Sequence, residues 1–377
     1  MLRIGIIGTG SIANAHISGY LTFGEECEIV ALADVMPGKA AQKAEESGLS
    51  DAVGYDDPLQ MIAEARLDLV SIATPPSTHA ALSIAALDAG IHVLVEKPMA
   101  PSLEECDAVL AAQQRSGKLL SVVAQNRFRD DLATLKSVID SGLLGSISHV
   151  RVDSAWWRGL PYYDLWWRGT WEKEGGGCTL NHAIHHIDLL LWLLGRPTEI
   201  AAMLANAQHD NSEVEDLSVA VLRYERGLAQ LTSSVVHHGE EQEIVIQGEH
   251  ARVSQPWKVV AERSDAAGFP AKGGDADRVA AIEEVVAARE PLAHSGHTGQ
   301  IGDVLAAIRE GRPPIADGHD GRNAIEVVTA IYKAGIEHQL VSLPLSPDDP
   351  YYRAGHLVGH APRLNQEQSA LVEAVAS

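Results

Sequence analysis

Cysteine is scarce in this chain, with three in 377 residues at positions 27, 106 and 178. An odd, widely spaced set excludes a disulfide scaffold, offers no C-x-x-C pair for a structural metal, and fits a reducing compartment. Long hydrophobic runs are missing as well: none approaches the roughly 18 residues needed to cross a bilayer, so no membrane partner is expected. The opening segment MLRIGIIG is too short for a signal peptide, lacks a cleavage site and reads as a strand, so a cytoplasmic address is expected. Positive charge is in short supply, with 29 Lys and Arg against 51 Asp and Glu and a net charge of −22. Such a surface repels a phosphate backbone, which argues against nucleic acid, and an anionic substrate would need local arginines. Aromatics reach only 5%, yet five of the seven tryptophans (156, 157, 166, 167 and 171) crowd into one short segment.

What is present begins with LRIGIIGTGSIANAH. The apolar run from Leu2 to Ile7 reads as a strand directly before Gly8-Thr9-Gly10-Ser11-Ile12-Ala13, a G-x-G-x-x-A turn opening a helix. Gly8 permits the tight turn, Gly10 lets a pyrophosphate approach the backbone, Ala13 allows close helix packing, and the helix start supplies donors. A second strand ends at Asp34, where a carboxylate can accept both adenosine ribose hydroxyls and repel a 2'-phosphate, which favours NAD over NADP. Strands LDLVSIAT, IHVLVEKP and LLSVVAQ alternate with helices, one of them started by a Ser102 to Glu105 capping box. This rhythm predicts a doubly wound parallel sheet with ligand at the strand ends, where Asp34, Thr74, Glu96 and Gln125 fall. The expected cofactor set is Gly8, Gly10, Ser11, Ile12, Asp34, Thr74, Pro75, His79, Glu96, Lys97 and Gln125.

At 377 residues the chain exceeds one core, so two domains are expected: a Rossmann domain over 1–124 and an α+β domain over 125–377. In the second, long β-like runs joined by short turns such as ERG and GEH predict a large, mostly antiparallel open sheet. Ala266 to Asp277 reads as a surface loop, and two later helices flank a Pro-Pro loop.

The segments GTGSIA, ATPPSTHA, EKPMA, GGGCTLNHAIHHID and GRNAIEVVTAIYKA fall in an order and spacing that resembles the Gfo/Idh/MocA oxidoreductases, from residue 2 to about 345. The resemblance implies hydride transfer between a nicotinamide and a carbon of a sugar, polyol or related ring. It also implies oligomerisation through the C-terminal sheet, as a homodimer or homotetramer. It places the EKP lysine at Lys97 and the acid/base histidine at His185. Asn181 stands where the family often has aspartate, as in relatives that resemble sugar 3-dehydrogenases, which leans toward oxidation at C3 of a pyranose.

Physical chemistry assigns the same pair: oxidising a secondary alcohol needs a base for the hydroxyl proton and a cationic donor for the developing alkoxide. Catalytic residues are therefore expected at Lys97, His185, Asn181 and His182. Helical spacing predicts Asn181, His185 and Asp188 on one face, with His182 and His186 on another. That pair has no third ligand in sequence reach, so no metal is expected. Glycines 175–177 are expected to bring backbone close to substrate. Trp faces suit pyranose C–H surfaces and arginines suit hydroxyls or an anionic substituent. The expected substrate set is Lys97, Arg158, Tyr163, Trp167, Arg168, Asn181, His182 and His185, with His237, His238, His297 and Arg322 as weaker candidates.

Three functions fit: an NAD-dependent sugar dehydrogenase; an NAD-dependent glycosidase using transient C3 oxidation, elimination, water addition and re-reduction on a possibly anionic glycoside, with Tyr162, Tyr163, His182 and His186 as extra proton carriers; and a silent nucleotide sensor. Intact Lys97 and His185 argue against the last.

Overall fold

The computed structural model describes residues 1–165 and 168–365. Its described residues form two compact units. Unit 1 comprises Met1–Phe128, Ala293–Ile325 and Tyr352–Gly355; unit 2 comprises Arg129–Leu292, Glu326–Tyr351 and the described residues from His356.

Unit 1 holds six strands: β1 (Leu2–Ile7), β2 (Cys27–Ala33), β3 (Val53–Tyr55), β4 (Leu69–Ile72), β5 (His92–Val95) and β6 (Leu120–Val122). They pair in the order β3-β2-β1-β4-β5-β6, every pair parallel. Strand order reverses between β1 and β4, the switch point at which doubly wound sheets bind ligands. Both faces of β1 are covered, with Ile4, Ile6 and Ile7 fully buried, which is why this strand is a continuous apolar run and not an alternating one. The helix Leu103–Ser116 starts at the expected cap, where Ser102 Oγ accepts from Glu105 N at 3.2 Å, with Glu104 and Glu105 in its first turn and Arg115 in its last.

The single cut after Ala124 predicted from sequence does not match these boundaries. The reason lies in the core: helix Gly296–Glu310 inserts Ile301, Val304 and Leu305 among Ile4, Ile17, Tyr20 and Leu32. Burying each of those three side chains is worth roughly 1.5–3 kcal/mol. Gly19 makes room for this helix, since a Cβ there would strike Ile301.

Unit 2 holds β7 (Ile147–Ala155), β8 (Glu199–Ala205), β9 (Leu217–Arg223), β10 (Leu228–Ser234), β11 (Gln242–Gly248), β12 (Arg252–Gln255), β13 (Lys258–Val260) and β14 (Val341–Ser342). Their order is β13-β12-β11-β7-β10-β9-β8-β14. All pairs are antiparallel except β10 with β7. In β9, Ser218, Ala220 and Leu222 are buried while Val219, Val221 and Arg223 face outward, the alternation of a sheet with one covered face. The stretch expected to be a loop up to Asp277 ends early, because Asp275 caps a helix over Ala276–Ala288.

Candidate active site

In unit 1 the glycine turn follows β1 as expected. Gly8 sits at φ +90°, and a Cβ there would stand 2.5 Å from Ala73 O, so only glycine fits. Around Gly10 there is open space, nothing lying within 4 Å of a Cβ built on it. That vacant volume before helix Ala13–Thr22 is where the turn admits a pyrophosphate, with Ser11 and Ile12 exposed beside it. At the end of β2, Asp34 Oδ2 accepts from Thr9 N at 3.0 Å, Thr9 Oγ1 at 2.7 Å and Lys39 Nζ at 2.9 Å. Burial works against its charge, but Thr9, Lys39 and Met36 N outweigh that and bring its pKa down to about 2. Oδ1 keeps only Met36 N, so it has capacity for a ribose hydroxyl. Gln125 Oε1 is buried with no hydrogen-bond partner, an acceptor awaiting a donor. These features fit a dinucleotide.

Two members of the expected cofactor set turn inward. His79 is fully buried, its Nδ1 lying 2.7 Å from Pro98 O and its Nε2 2.8 Å from Thr74 O. It ties the Thr74 turn to the Lys97-Pro98 loop, and burial keeps its pKa below the ordinary value. Glu96 takes His16 Nε2 at 3.1 Å and His297 Nε2 at 3.3 Å on one oxygen. Burial opposes its charge, yet the two imidazoles hold its carboxyl well below the ordinary range. Lys97 is half-buried on the same loop, and the Lys97-Pro98 bond is cis. Arg322 donates to Asp107 at 2.6 Å, a contact within unit 1 that reads as structural.

In unit 2 the single helix predicted through GGGCTLNHAIHHID is two: Cys178–Asn181 and Ile184–Leu194, with His182 and Ala183 at the break. Asn181 and His185 therefore do not share one helix face, and His182 and His186 are not a helical i, i+4 pair. Asn181 Nδ2 donates to Gly176 O at 2.9 Å, tying the glycine turn to the first short helix. His182 leaves the helix and stands 5.7 Å from the Trp156 ring and 5.9 Å from the Tyr162 ring. His185 is half-buried, whereas His186 is buried and lowered to about 4 by burial and by Arg129.

Gly176 and Gly177 are required by packing within unit 2. A Cβ on Gly177 would collide with Glu215 O, and one on Gly176 with the Tyr332 hydroxyl. Fully buried Glu215 accepts from Gly177 N at 3.1 Å, Thr179 N at 3.0 Å and Tyr332 Oη at 3.0 Å. It thus caps the glycine-to-helix start, and burial pushes its pKa up. Only the acidic run Glu213-Val-Glu215-Asp216 hinted at it in sequence.

The tryptophan-rich segment divides. Trp171 is 3% exposed and packs edge-on against Tyr332, so it belongs to the core. Trp157 is exposed and stacks on His238. Trp167, expected in the substrate set, and Trp166 lie outside the described residues. Tyr163, expected in the substrate set, is buried against Cys178, Val235 and His209. Tyr162, half-buried, meets His182 and lies under both guanidinium groups, Arg168 at 4.0 Å and Arg158 at 5.6 Å. Each arginine already holds a carboxylate: Arg158 with Glu240 at 2.5 Å, Arg168 with Glu174 at 2.9 Å. Glu174 also accepts from Gly169 N at 2.6 Å, and burial pushes its pKa up to about 7.

Comparison with known proteins agrees with both units. Residues 2–124 match the oxidoreductase family with an NAD-binding Rossmann fold, and residues 132–254 match the GFO/IDH/MocA C-terminal domain. The chain is 31% identical over 196 residues to the D-glucoside 3-dehydrogenase of Escherichia coli K12, an alignment spanning 52% of this chain and 55% of that enzyme. It is 23% identical over 350 residues to the myo-inositol 2-dehydrogenase of Thermotoga maritima, covering 91% of this chain and 98% of the other. The solved structure of the WlbA dehydrogenase from Bordetella pertussis, in complex with NADH and UDP-GlcNAcA, superposes with a TM-score of 0.78 at 29% identity, covering 92% of this chain and 98% of that one. Unit 1 is an NAD-binding Rossmann domain, and the chain belongs to the Gfo/Idh/MocA family of oxidoreductases.

Proposed function

We propose that this protein oxidises a ring hydroxyl, at C3, of a neutral pyranose or glycoside. The observation that carries the neutral preference is the pairing of Arg158 with Glu240, whose carboxyl Trp157 N and Arg158 hold below its ordinary range. An arginine whose charge is already met offers a sugar hydroxyl a donor, but a substrate carboxylate would have to displace the resident one or lie beside it. The C3 position draws on the similarity to a D-glucoside 3-dehydrogenase and on asparagine at 181.

NAD supplies the hydride acceptor, with Asp34, Gln125 and the Gly8 to Ile12 turn as its holders. His185 takes the hydroxyl proton, and the Lys97 ammonium steadies the oxygen as negative charge grows on it. Tyr162 and His182 form the wall for the sugar ring, with unit 2 as the substrate-binding unit. Three of the extra proton carriers of the glycosidase route lend it little support: burial raises Tyr162 and Tyr163 and lowers His186 to about 4. A homo-oligomer is part of the proposal. Met203, Val219, Val221 and Leu228 are exposed on one face of β8, β9 and β10, an apolar patch suited to a second copy. So is an intracellular location, in keeping with three buried free cysteines.

The test incubates purified protein with NAD, neutral methyl glycosides, the matching uronates, UDP-sugar uronates and p-nitrophenyl glycosides. NADH and nitrophenolate absorbance are followed together, and products are identified by NMR. NADH formed with a 3-keto neutral product, roughly tenfold or more faster than with the uronate, is the expected result. Preference for a uronate overturns the neutral assignment; nitrophenolate without net NADH overturns the dehydrogenase in favour of hydrolysis.

A further inference from the structure

His16, Glu96 and His297 come from the first helix, the end of β5 and helix Gly296–Glu310, and they meet although 80 and 201 residues separate them. All three belong to unit 1. Their donor atoms, two Nε2 and one carboxylate oxygen, lie within 4.8 Å of one another. We propose that this trio is a binding site for one divalent transition metal ion of the Zn²⁺ class.

Three observations support the assignment. First, both imidazoles converge on the same oxygen, Oε1, at 3.1 and 3.3 Å, while Oε2 lies 3.2 Å from Lys97 N. A carboxylate that only ion-paired two imidazoles could give each its own oxygen; here both nitrogens address one oxygen, and the three donor atoms lie within 4.8 Å of one another. Ligands about 2.0–2.2 Å from a tetrahedral ion stand roughly 3.3 Å apart, which is the separation these nitrogen–oxygen pairs already have. Second, the outer groups that orient metal ligands are in place. His16 Nδ1 lies 3.1 Å from Ser71 Oγ, and Ser71 Oγ is held in turn by the Tyr20 hydroxyl at 2.7 Å. A hydroxyl can accept from an Nδ1–H, leaving Nε2 with its lone pair for an ion. Third, the site is buried on one side and open on the other: the His16 side chain is fully buried and that of Glu96 8% exposed, while His297 is 20% exposed. Solvent can thus enter beside His297 and complete the coordination shell. Two imidazoles and a carboxylate favour a borderline transition metal over Mg²⁺ or Ca²⁺, which prefer oxygen.

The bound ion would cross-link three segments of unit 1 next to the Lys97 loop. The assignment stands independently of which sugar the enzyme takes.

To test it, the full-length protein is stripped with EDTA and titrated with Co²⁺ without NAD, following visible ligand-field absorption, and Zn²⁺ is then added as competitor. Elemental analysis of the Zn²⁺-loaded protein counts the ions. The expected result is one saturable Co²⁺ per chain, displaced by Zn²⁺, with binding weakened at least about tenfold in His297→Ala and roughly 10–100-fold in Ser71→Ala. His297 reaches solvent, so its replacement decides the matter even if buried His16→Gln fails to fold. A control variant removes the stacked pair His356 and His360, whose rings lie 4.4 Å apart, and should bind like the wild type. Absence of saturable binding overturns the proposal; so does binding that survives His297→Ala or vanishes with the His356/His360 control.

Discussion

Replacing Glu174 by glutamine should flatten the pH dependence of stability. The Glu174 side chain is 1% exposed, and burial lifts its pKa from an ordinary 4.5 to about 7 despite Gly169 N and Arg168. Between those two values the folded chain keeps a proton that the unfolded chain has released. Stability therefore falls as pH rises through that window, and the contribution present below pH 4.5 is gone above about 7. A shift of this size corresponds to about 3 kcal/mol. In Glu174→Gln the neutral amide oxygen can still accept from Gly169 N, while the pH-linked term disappears. Urea unfolding of both proteins at pH 5, 6, 7 and 8 reads the difference. The stability gap should move by about 2–3 kcal/mol in favour of the variant between pH 5 and pH 8. Parallel pH profiles for the two proteins would refute the reasoning and mean that the Arg168 charge offsets the burial of Glu174.

Gly177→Ala should cost roughly 3 kcal/mol or more, because the new methyl meets Glu215 O on the backbone, which cannot move aside as a side chain would. Gly175→Ala, facing only Leu180 Cδ2 at 3.3 Å but strained at φ +84°, should cost less, and chemical unfolding orders the two. Asp34→Ser should raise the KM for NAD about ten- to hundredfold and narrow the gap to NADP, since the carboxylate that repels a 2'-phosphate is gone and Lys39 is released. Steady-state kinetics with both cofactors checks it. Lys97→Met and His185→Ala should each lower kcat by roughly 10²–10⁴-fold with the urea midpoint little changed; a variant retaining near-normal kcat removes that residue from the chemistry.

The Rossmann half was legible because its signals are local. An apolar run, a glycine turn, a carboxylate about 20 residues on and a capping box each lie within one segment, and each stands where the sequence placed it. The second half was legible only in outline, since turns such as ERG announce hairpins but not the parallel pairing of β7 with β10. The site was misread where spacing was taken for geometry. Uninterrupted helical periodicity in TLNHAIHHID conceals the break at His182. Likewise nothing near Tyr163 tells that the turn Leu160–Asp164 sends it inward and leaves Tyr162 to meet His182. The ion pair of Arg158 leaves no local trace because Glu240 is 82 residues away. The trio at His16, Glu96 and His297 has the same cause: residues far apart in sequence carry no shared pattern.

The placement of Ile301, Val304 and Leu305 in the first core has a consequence for synthesis. Protein chains emerge in order, at about 5–20 residues per second, so residues 1–128 wait on the order of ten to thirty seconds before helix Gly296–Glu310 exists. Until then the faces of Tyr20 and Ile17 that this helix covers stay wet. Unit 2 waits too, since Tyr332, the partner of Glu215, and the edge strand β14 come later still. The first native state this chain can reach is therefore the work of its last hundred residues, and a nascent chain halted before them would expose both unfinished cores to chaperones.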